Sequence, residues 1–358
     1  LILRSQINLE ARMGWDQIFA ALADKKDLSN EQVTWGMSQI LEGAAGDENI
    51  KAFLTGLKAK GESAQEVEAL VSQMYKYAAP ISITERAVDT VGTGGDGANT
   101  INISTTAAII TNAAGARVVK HGNRAASSKS GSADLLEALG VKIDLTGPEV
   151  EKTVHKIGIG FCFAPIFHSA MKHAVAARKE LGVPTVFNIL GPLANPAKPI
   201  AAAIGVARLE LLPLMAQVLL DQGKEGFIFR GDDGLDEVSL STTTTVIQIS
   251  KGKLKQETFN PAELGIASAP ISSLAGGDAK YNAQVTNQIF AGKSGAMRDA
   301  VTLNAAFAIA AFKADFDLPL QTQIANGFVL ANKAIDSGAA QSVLKKWVEL
   351  SNELVSAR

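Results

Sequence analysis

A short apolar run leads into a glycine-rich loop in the sequence Ala87-Val88-Asp89-Thr90-Val91-Gly92-Thr93-Gly94-Gly95-Asp96-Gly97, and a helix is predicted from Thr105. Glycines allow positive φ and leave room for a ligand, so successive backbone N–H groups can point at an anion. The positive end of the helix dipole adds to that attraction. The stretch therefore predicts a strand, a phosphate- or pyrophosphate-binding loop and a helix. A tight turn without a ligand is the alternative interpretation.

The glycine loop does not match two well-known phosphate-binding motifs. No Gly-Lys-Ser/Thr follows it, which excludes a P-loop, and its glycine spacing differs from the usual dinucleotide fingerprint.

Short apolar runs alternate with helical patterns on both sides of this loop. Helices are predicted to start at Thr105, Ser132, Pro148 and Leu209. This alternation is typical of βαβ units and predicts a largely parallel sheet with right-handed crossovers. A hairpin is predicted over Thr245–Phe259. The predicted strands are Ala87–Val91, Arg117–Lys120, Val141–Asp144, Ile159–Ala164, Ala201–Ala207 and Gly226–Arg230, and the later helices are Gly295–Phe312 and Leu318–Ile335.

The first eighty residues predict helices only. Ser29 with Gln32 and Ser63 with Glu66 form capping-box patterns, each followed by apolar residues at helical spacing. The predicted fold class is therefore α/β, with a small all-helical N-terminal domain and a larger α/β domain built on a mainly parallel central sheet. Ser169–Leu181 is also helical in pattern. From the residues alone it belongs either to the α/β domain or to the N-terminal helices.

Composition excludes several classes of protein. A length of 358 residues favours two domains. A net charge of −2 argues against a general nucleic-acid binder. The single Cys162 cannot form an intrachain disulfide, the chain has no Cys/His zinc pattern, and its first residues lack the apolar core of a signal peptide. The uncharged stretch Gly97–Ala116 contains too many Asn, Thr and Ser residues to span a membrane. A cytoplasmic location is expected.

A second loop follows the next predicted strand, with the sequence Lys120-His121-Gly122-Asn123-Arg124-Ala125-Ala126-Ser127-Ser128-Lys129-Ser130-Gly131-Ser132. Cations, hydroxyl groups and glycines at the carboxyl end of a strand match the ligand crevice of an open α/β sheet. A solvated basic loop is the alternative. That alternative weakens because two such loops occupy equivalent positions in successive βα units.

An acidic segment, Gly231-Asp232-Asp233-Gly234-Leu235-Asp236-Glu237-Val238-Ser239, comes directly after the predicted strand Gly226–Arg230. Carboxylate oxygens beside a phosphate site suggest Mg²⁺, which proteins hold with one or two carboxylates plus substrate oxygens and waters. A solvated acidic turn explains this segment equally well.

These three segments, in this order, resemble the anthranilate phosphoribosyltransferase family. A fourth match comprises Phe163-Ala164-Pro165, His168, Met171, Arg178 and Phe187-Asn188-Ile189-Leu190-Gly191-Pro192-Leu193-Ala194-Asn195-Pro196, and the similarity runs from about Leu28 to Trp347. Three departures stand out. Ser169 follows His168 where the family often has His-Pro, Pro184-Thr185 replaces a second Arg-Thr, and Arg230 replaces a common His.

The resemblance implies an activity and an architecture. The protein would transfer the phosphoribosyl group of 5-phosphoribosyl 1-pyrophosphate (PRPP) to the amine of anthranilate, in tryptophan biosynthesis, with two Mg²⁺ ions per subunit. The helical domain would comprise 1–82 with 166–195, and the α/β domain 83–165 with 196–358. A homodimer would form through the helical domain. No nucleic acid and no membrane would take part.

The resemblance also implies roles for single residues. Gly92, Asn123 and Arg178 would hold anthranilate, while Ser104 would lie near one Mg²⁺ and Asp236 and Glu237 near another. The residues expected to contact PRPP are Gly92, Gly95, Asp96, Thr100, Asn102, Ile103, Ser104, Thr105, Lys120, His121, Gly122, Asn123, Arg124, Ala125, Ala126, Ser127, Ser128 and Ser132.

No residue is assigned as a general acid or base, because an aromatic amine already offers a neutral lone pair near pH 7. His121 is the one candidate, and the alternative is a loop residue that only stacks or hydrogen-bonds nearby. Two other functions are compatible with parts of the pattern. A pyrimidine-nucleoside phosphorylase would use orthophosphate, and Asp236-Glu237 with Arg178 favours the pyrophosphate donor instead. A non-catalytic nucleic-acid binder should carry an extended basic face, which the net charge of −2 disfavours.

Overall fold

The computed structural model describes residues 13–125 and 128–358. It divides into two compact units, the first comprising Leu1–Tyr77 and Ala170–Phe187, and the second Ala78–Ser169 and Asn188–Arg358. The predicted PRPP contacts Ala126 and Ser127 lie outside the described residues.

After four helices, strands and helices alternate along much of the chain. The helices are α1 (Trp15–Ala23), α2 (Asn30–Leu41), α3 (Asp47–Lys60), α4 (Ala64–Tyr77), α5 (Ile103–Ala113), α6 (Ser132–Ala138), α7 (Gly147–Ile157), α8 (Ala164–Phe167), α9 (Val175–Leu181), α10 (Phe187–Leu193), α11 (Leu212–Asp221), α12 (Ala279–Phe290), α13 (Ala296–Lys313), α14 (Leu320–Asp336) and α15 (Ala339–Ser356). The strands are β1 (Val88–Gly92), β2 (Val118–Gly122), β3 (Ile159–Phe163), β4 (Ala201–Gly205), β5 (Glu225–Gly231), β6 (Thr244–Ser250) and β7 (Lys253–Phe259).

The first unit is helical, and its helix starts are those the capping boxes predict. Ser29 Oγ accepts from the Gln32 amide at 3.2 Å while Gln32 Oε1 accepts from the Ser29 amide at 2.9 Å. The Glu66 carboxylate accepts from the Ser63 amide at 2.8 Å in the same way. These reciprocal bonds satisfy N–H groups that a helix start leaves without intrahelical partners, and so fix where α2 and α4 begin.

The second unit is built on a seven-stranded sheet with the order β3-β2-β1-β4-β5-β6-β7. The strands from β3 to β5 are parallel, while β6 and β7 form an antiparallel hairpin at one edge. The order reverses between β1 and β4, since the chain moves outward from β1 to β3 on one side and from β4 to β7 on the other. Ligands of open α/β sheets bind outside the carboxyl ends of the strands at such a switch point.

Alternate residues of the parallel strands enter two different cores. Val118 of β2 packs in the core with α5 and α13, and Val119 packs on the other face with Val150 and Val154 of α7. Both faces of a parallel sheet are covered by helices, so its strands are apolar on both sides. The same alternation sends Lys120 and His121, at the end of β2, to opposite faces.

The predicted α/β fold class is confirmed, but some elements differ. Val141–Asp144, predicted as a strand, pairs with none of the strands in the described part of the chain. Val141 and Ile143 are buried, and the Lys142 amide donates to Ser351 Oγ of α15 at 3.0 Å. Its alternating pattern reflects packing under a helix, not a place in the sheet. Ser169–Leu181 is a 3₁₀ turn followed by α9. The helices α10, α12 and α15 were not predicted.

Candidate active site

Two paired glycines end the strands on either side of the switch point, and the acidic segment packs directly against both of them. Gly92, the last residue of β1, pairs with Gly205, the last residue of β4. A Cβ at Gly92 would lie 2.2 Å from Asp236 Oδ2, and one at Gly205 would lie 1.8 Å from the Asp236 carbonyl oxygen. Only glycine permits this approach, so the strand ends are shaped to seat Asp236.

The glycine loop and the start of α5 hold the two carboxylates with backbone amides. The Gly94 amide donates to Asp236 Oδ2 at 2.6 Å, and the Ser104 amide donates to Glu237 Oε1 at 3.2 Å. The sequence predicts that these amides point at an anion. The anion they meet here belongs to the protein itself.

The two carboxylates are buried and carry strongly shifted pKa values. Burial, together with the nearby charge of Asp96, raises the pKa of Asp236 to about 7. Burial and the Asp236 charge raise the pKa of Glu237 well above its ordinary range. Desolvated carboxylates close to one another disfavour ionisation, and a bound cation would relieve that cost.

Lys120 is buried beneath this pair, on the face of the sheet that packs against α5. Its ammonium donates to the Thr90 carbonyl and, at 3.2 Å, to Ser104 Oγ. Burial lowers the pKa of Lys120, while the charges of Asp89, Glu237 and Asp236 oppose that shift. The structure thus brings together five of the residues named from the sequence: Gly92, Ser104, Lys120, Asp236 and Glu237.

Other predicted residues of the first loop contribute differently. The side chains of Ile103 and Thr105 are buried, which leaves their backbone as the part open to a ligand. Thr100 forms an isolated antiparallel bridge with Ala275. Gly94 and Gly95 have φ of 69° and 87°, values that side chains rarely adopt.

Asp134, in the first turn of α6, holds the two ends of the second loop together. Its Oδ2 accepts from the amides of Ala125 at 3.0 Å and Gly131 at 2.8 Å. Arg124, a predicted PRPP contact, instead donates to Asp134 at 2.9 Å and to Glu137 at 3.0 Å. To contact a ligand, the Arg124 guanidinium has to share or leave these carboxylates. Gly122, Asn123, Ser128 and Ser132 belong to the same loop.

His121 lies on the opposite face of the sheet from Lys120. Its Nδ1 donates to the Gly191 carbonyl at 2.8 Å, its ring lies 5.1 Å from that of His168, and Nε2 has no hydrogen-bond partner among the described residues. Burial and the nearby His168 lower the pKa of His121 to about 3. It is therefore a neutral imidazole with its proton on Nδ1.

The remaining acids after β5 are structural. Asp233 accepts from Ser239 Oγ at 2.6 Å, and Asp232 accepts from Thr245 Oγ1 at 2.8 Å. Arg230 donates to the Ala207 carbonyl at 2.9 Å. These bonds fix the turn that carries Asp236 and Glu237. Because Asp232 and Asp233 are bonded within the turn, Asp236 and Glu237 are the two carboxylates of this segment that can bind a ligand.

Arg178 lies on α9 in the helical unit. Its guanidinium is half-buried, lies 5.9 Å from the centre of the Phe187 ring, and forms no ion pair with any described residue. Burial lowers the pKa of this group without providing a carboxylate partner. A partly desolvated guanidinium without an anion is suited to bind a carboxylate ligand.

The candidate metal ligands are limited in number. Among residues 13–125 and 128–358, no group of three or more His, Cys, Asp or Glu side chains is arranged to hold a metal ion. A cation at Asp236 and Glu237 therefore needs further oxygen ligands from a substrate or water. This donor set is typical of magnesium bound together with a phosphate.

Sequence profiles of two linked domains match the chain. The profile described as "Glycosyl transferase family, a/b domain" covers residues 84–341, and "Glycosyl transferase family, helical bundle domain" covers 16–78. The fold and the switch-point site thus belong to a two-domain glycosyl transferase.

Individual relatives narrow the class. The anthranilate phosphoribosyltransferase of Rhodococcus jostii is 48% identical over 344 residues, covering 96% of this chain and 95% of the relative. That of Nocardia farcinica is 48% identical over 343 residues, with 94% and 99% covered. The chain belongs to the anthranilate phosphoribosyltransferase family, which confirms the resemblance seen in its motifs.

Solved structures agree with this assignment. The crystal structure of the Thermus thermophilus anthranilate phosphoribosyltransferase superposes with a TM-score of 0.87 at 36% identity, covering 94% of this chain and 99% of that one. The Saccharomyces cerevisiae enzyme in complex with PRPP and Mg has a TM-score of 0.86 at 28% identity, with 95% and 98% covered.

In the described part of the chain, no helix combines the length and hydropathy that a membrane span requires.

Proposed function

We propose that this protein transfers the phosphoribosyl group of PRPP to the amine of anthranilate at the carboxyl ends of β1, β2 and β5. One observation carries the proposal. A buried pair of carboxylates, Asp236 and Glu237, is held by amides of the glycine loop and of α5 beside the buried Lys120. A cation would stabilise the ionised form of this pair, and a cation at a phosphate-binding edge of the sheet suits a pyrophosphate leaving group.

PRPP is proposed to contact both loops. In the first loop the contacts are Gly92, Gly95, Asp96, Thr100 and residues 102–105; in the second they are residues 120–128 and Ser132. The open space around Gly95 supports this assignment, since no described atom lies within 4 Å of a Cβ built there. Lys120 would lie near the phosphates as a buried positive charge.

Mg²⁺ is the proposed cofactor, with Asp236 and Glu237 as ligands of one ion and Ser104 of another. The donor atoms fit, because all are hard oxygens and two belong to carboxylates whose pKa burial has raised. When bound, magnesium would neutralise charge that builds up on the leaving pyrophosphate. The count of two ions per subunit rests on the family resemblance.

Anthranilate is proposed to bind through Arg178, with Gly92 and Asn123 as further contacts. A guanidinium can pair with the anthranilate carboxylate through two parallel hydrogen bonds. The aromatic ring of Phe187, 5.9 Å from that guanidinium, helps to fix its position.

The reaction requires little acid–base chemistry from the chain. The aromatic amine is already a neutral nucleophile, so catalysis consists of orienting it over the anomeric carbon and stabilising the departing pyrophosphate. The sugar centre would pass through an oxocarbenium-like state, with inversion at the anomeric carbon. The neutral His121, with Nδ1 bound to Gly191, is not placed to supply a proton at ordinary pH.

Assembly and location complete the proposal. A homodimer through the helical unit is supported by exposed apolar side chains there, Val175 and Val183, at 58% and 47% exposure. The cytoplasmic location and the domain limits 1–82 with 166–195 stay predictions.

One assay tests the activity, and one variant tests the anthranilate site. Protein, Mg²⁺, PRPP and anthranilate are mixed, and loss of anthranilate fluorescence is followed. Arg178→Ala should lower kcat/KM for anthranilate by tens to hundreds of fold, about 2–4 kcal/mol, and Arg178→Lys should recover part of it. The exposed neighbour provides the control, Lys179→Ala, which should behave as wild type. Unaltered anthranilate kinetics in Arg178→Ala would exclude the assignment.

A further inference from the structure

A buried asparagine of α12 contacts the first phosphate loop. Asn282 is 1% exposed, and its Nδ2 donates to Asn102 Oδ1 at 2.8 Å. Its own Oδ1 accepts from the Gly277 amide at 2.9 Å. Both polar ends of the Asn282 side chain are therefore bonded, one to the backbone and the other to a proposed PRPP contact.

These bonds determine which way round the Asn102 amide lies. A backbone N–H can only donate, so the oxygen of Asn282 must face Gly277 and its NH₂ group must face Asn102. The oxygen of Asn102 consequently faces Asn282, and its Nδ2 donates to the Ser130 carbonyl at 2.9 Å.

The second loop completes the arrangement. Ser130 Oγ also donates to Asn102 Oδ1, at 3.1 Å. An amide oxygen accepts two hydrogen bonds and an amide nitrogen donates two. Both positions on the Asn102 oxygen are thus occupied. Among residues 13–125 and 128–358, nothing accepts from the second N–H of this side chain, which is left for a ligand.

We propose that Asn282 is a positioning residue for the phosphoribosyl donor. Together with Ser130, it holds Asn102 so that an N–H, and not the amide oxygen, is the group that this side chain presents to the polyanionic donor. The same hydrogen bonds join the first loop to the second at Ser130. This inference rests on the proposed function, in which Asn102 contacts PRPP.

The variant Asn282→Asp tests the orientation with little change of volume. A carboxylate still accepts from the Gly277 amide but cannot donate to Asn102. An Asn102 amide that keeps its orientation then has its oxygen against the new carboxylate, and one that turns has its oxygen against the Ser130 carbonyl. In both cases its N–H is no longer held in place for the ligand. PRPP affinity in the presence of Mg²⁺ should fall roughly 10- to 100-fold, the range expected when a hydrogen bond to a charged group is lost. The PRPP KM should rise while kcat stays within about twofold.

Asn282→Ala separates positioning from packing. It leaves the Asn102 amide oriented by Ser130 alone. PRPP affinity should therefore fall only about 3- to 10-fold, the effect of one weaker hydrogen bond. If Asn282 only filled space, the alanine variant, which leaves a cavity, would be at least as impaired as the aspartate variant. The order of the two variants is therefore diagnostic.

The exposed Asn287 on the same helix provides the matched control, because Asn287→Asp makes the same charge change away from the loops. Calorimetric titration with PRPP and Mg²⁺ and steady-state kinetics are run on all forms. Wild-type PRPP affinity in Asn282→Asp, or an alanine variant as weak as the aspartate variant, overturns the positioning role. If the aspartate variant does not fold, wild-type affinity in Asn282→Ala overturns it. A wild-type protein without transferase activity refutes the proposed function itself.

Discussion

Replacing Gly92 by alanine tests whether the switch point is shaped around Asp236. The added methyl carbon would lie 2.2 Å from Asp236 Oδ2, 2.8 Å from its Cγ and 3.0 Å from its carbonyl oxygen. The carboxylate has to retreat by about 1 Å to reach van der Waals contact. That movement breaks the 2.6 Å hydrogen bond from the Gly94 amide. We expect Gly92→Ala to lose about 1–3 kcal/mol of folding free energy through overpacking.

The larger effect should be on catalysis, because a displacement of about 1 Å at a reacting site can cost roughly 100-fold in rate. The assay is kcat/KM for PRPP over a range of Mg²⁺ concentrations, with thermal unfolding measured alongside. Gly36→Ala, in the middle of α2, is the matched control. Its methyl group would meet Ile18 and Phe53 at 3.4 Å, an ordinary contact. That variant should keep wild-type kinetics and gain helix propensity.

A double-mutant cycle shows whether the methyl group acts through Asp236. If it does, adding Gly92→Ala to Asp236→Asn should cost much less than the two single losses combined, because both remove the same carboxylate position. Wild-type PRPP kinetics in Gly92→Ala, or fully additive losses in the cycle, would refute the reasoning.

Two further predictions concern charged groups. Asp236→Asn combined with Glu237→Gln should cut turnover and raise the Mg²⁺ requirement while the fold persists; unchanged Mg²⁺ dependence would remove the pair from the site. His121 has a folded-state pKa of about 3 against an ordinary value of 6.5. Protons therefore favour the unfolded chain, and stability present above about pH 6.5 is lost as the pH falls, by about 2 kcal/mol at pH 5. NMR should show a His121 ring that does not titrate between pH 8 and 5; a midpoint near 6.5 would contradict this.

Sequence patterns alone predicted most of the sheet. The strands β1 to β5 and the hairpin of β6 and β7 lie where apolar runs end in glycine or polar residues. Such signals are local, because strand burial and turn chemistry depend on neighbouring residues. The strand prediction for Val141–Asp144 was wrong because it relied on such local signals alone. Alternating burial under α15 produces the same period as a strand, and only the presence of a partner strand distinguishes the two.

The residues of the candidate site that could be predicted from the sequence are those whose charge itself indicates their chemistry. Lys120, Asp236 and Glu237 combine a charge with a position just after a strand, and parallel strands bring their carboxyl ends to one edge. Asn282 and Asp134 gave no such signal. Each is a polar residue within a helical pattern, and its role depends on which backbone amide it meets after folding.

The sequence by itself therefore determined the fold class, the positions of the seven strands of the sheet and the family, because periodicity, caps and glycine loops act over a few residues. Tertiary structure decided which partner each polar group takes. Asp236 packs on Gly92 and Gly205, and its carboxylate accepts from the Gly94 amide. Arg124 binds Asp134 and Glu137. Asn282 donates to Asn102. These contacts join residues far apart in the chain, and buried polar groups must find partners wherever packing brings them together.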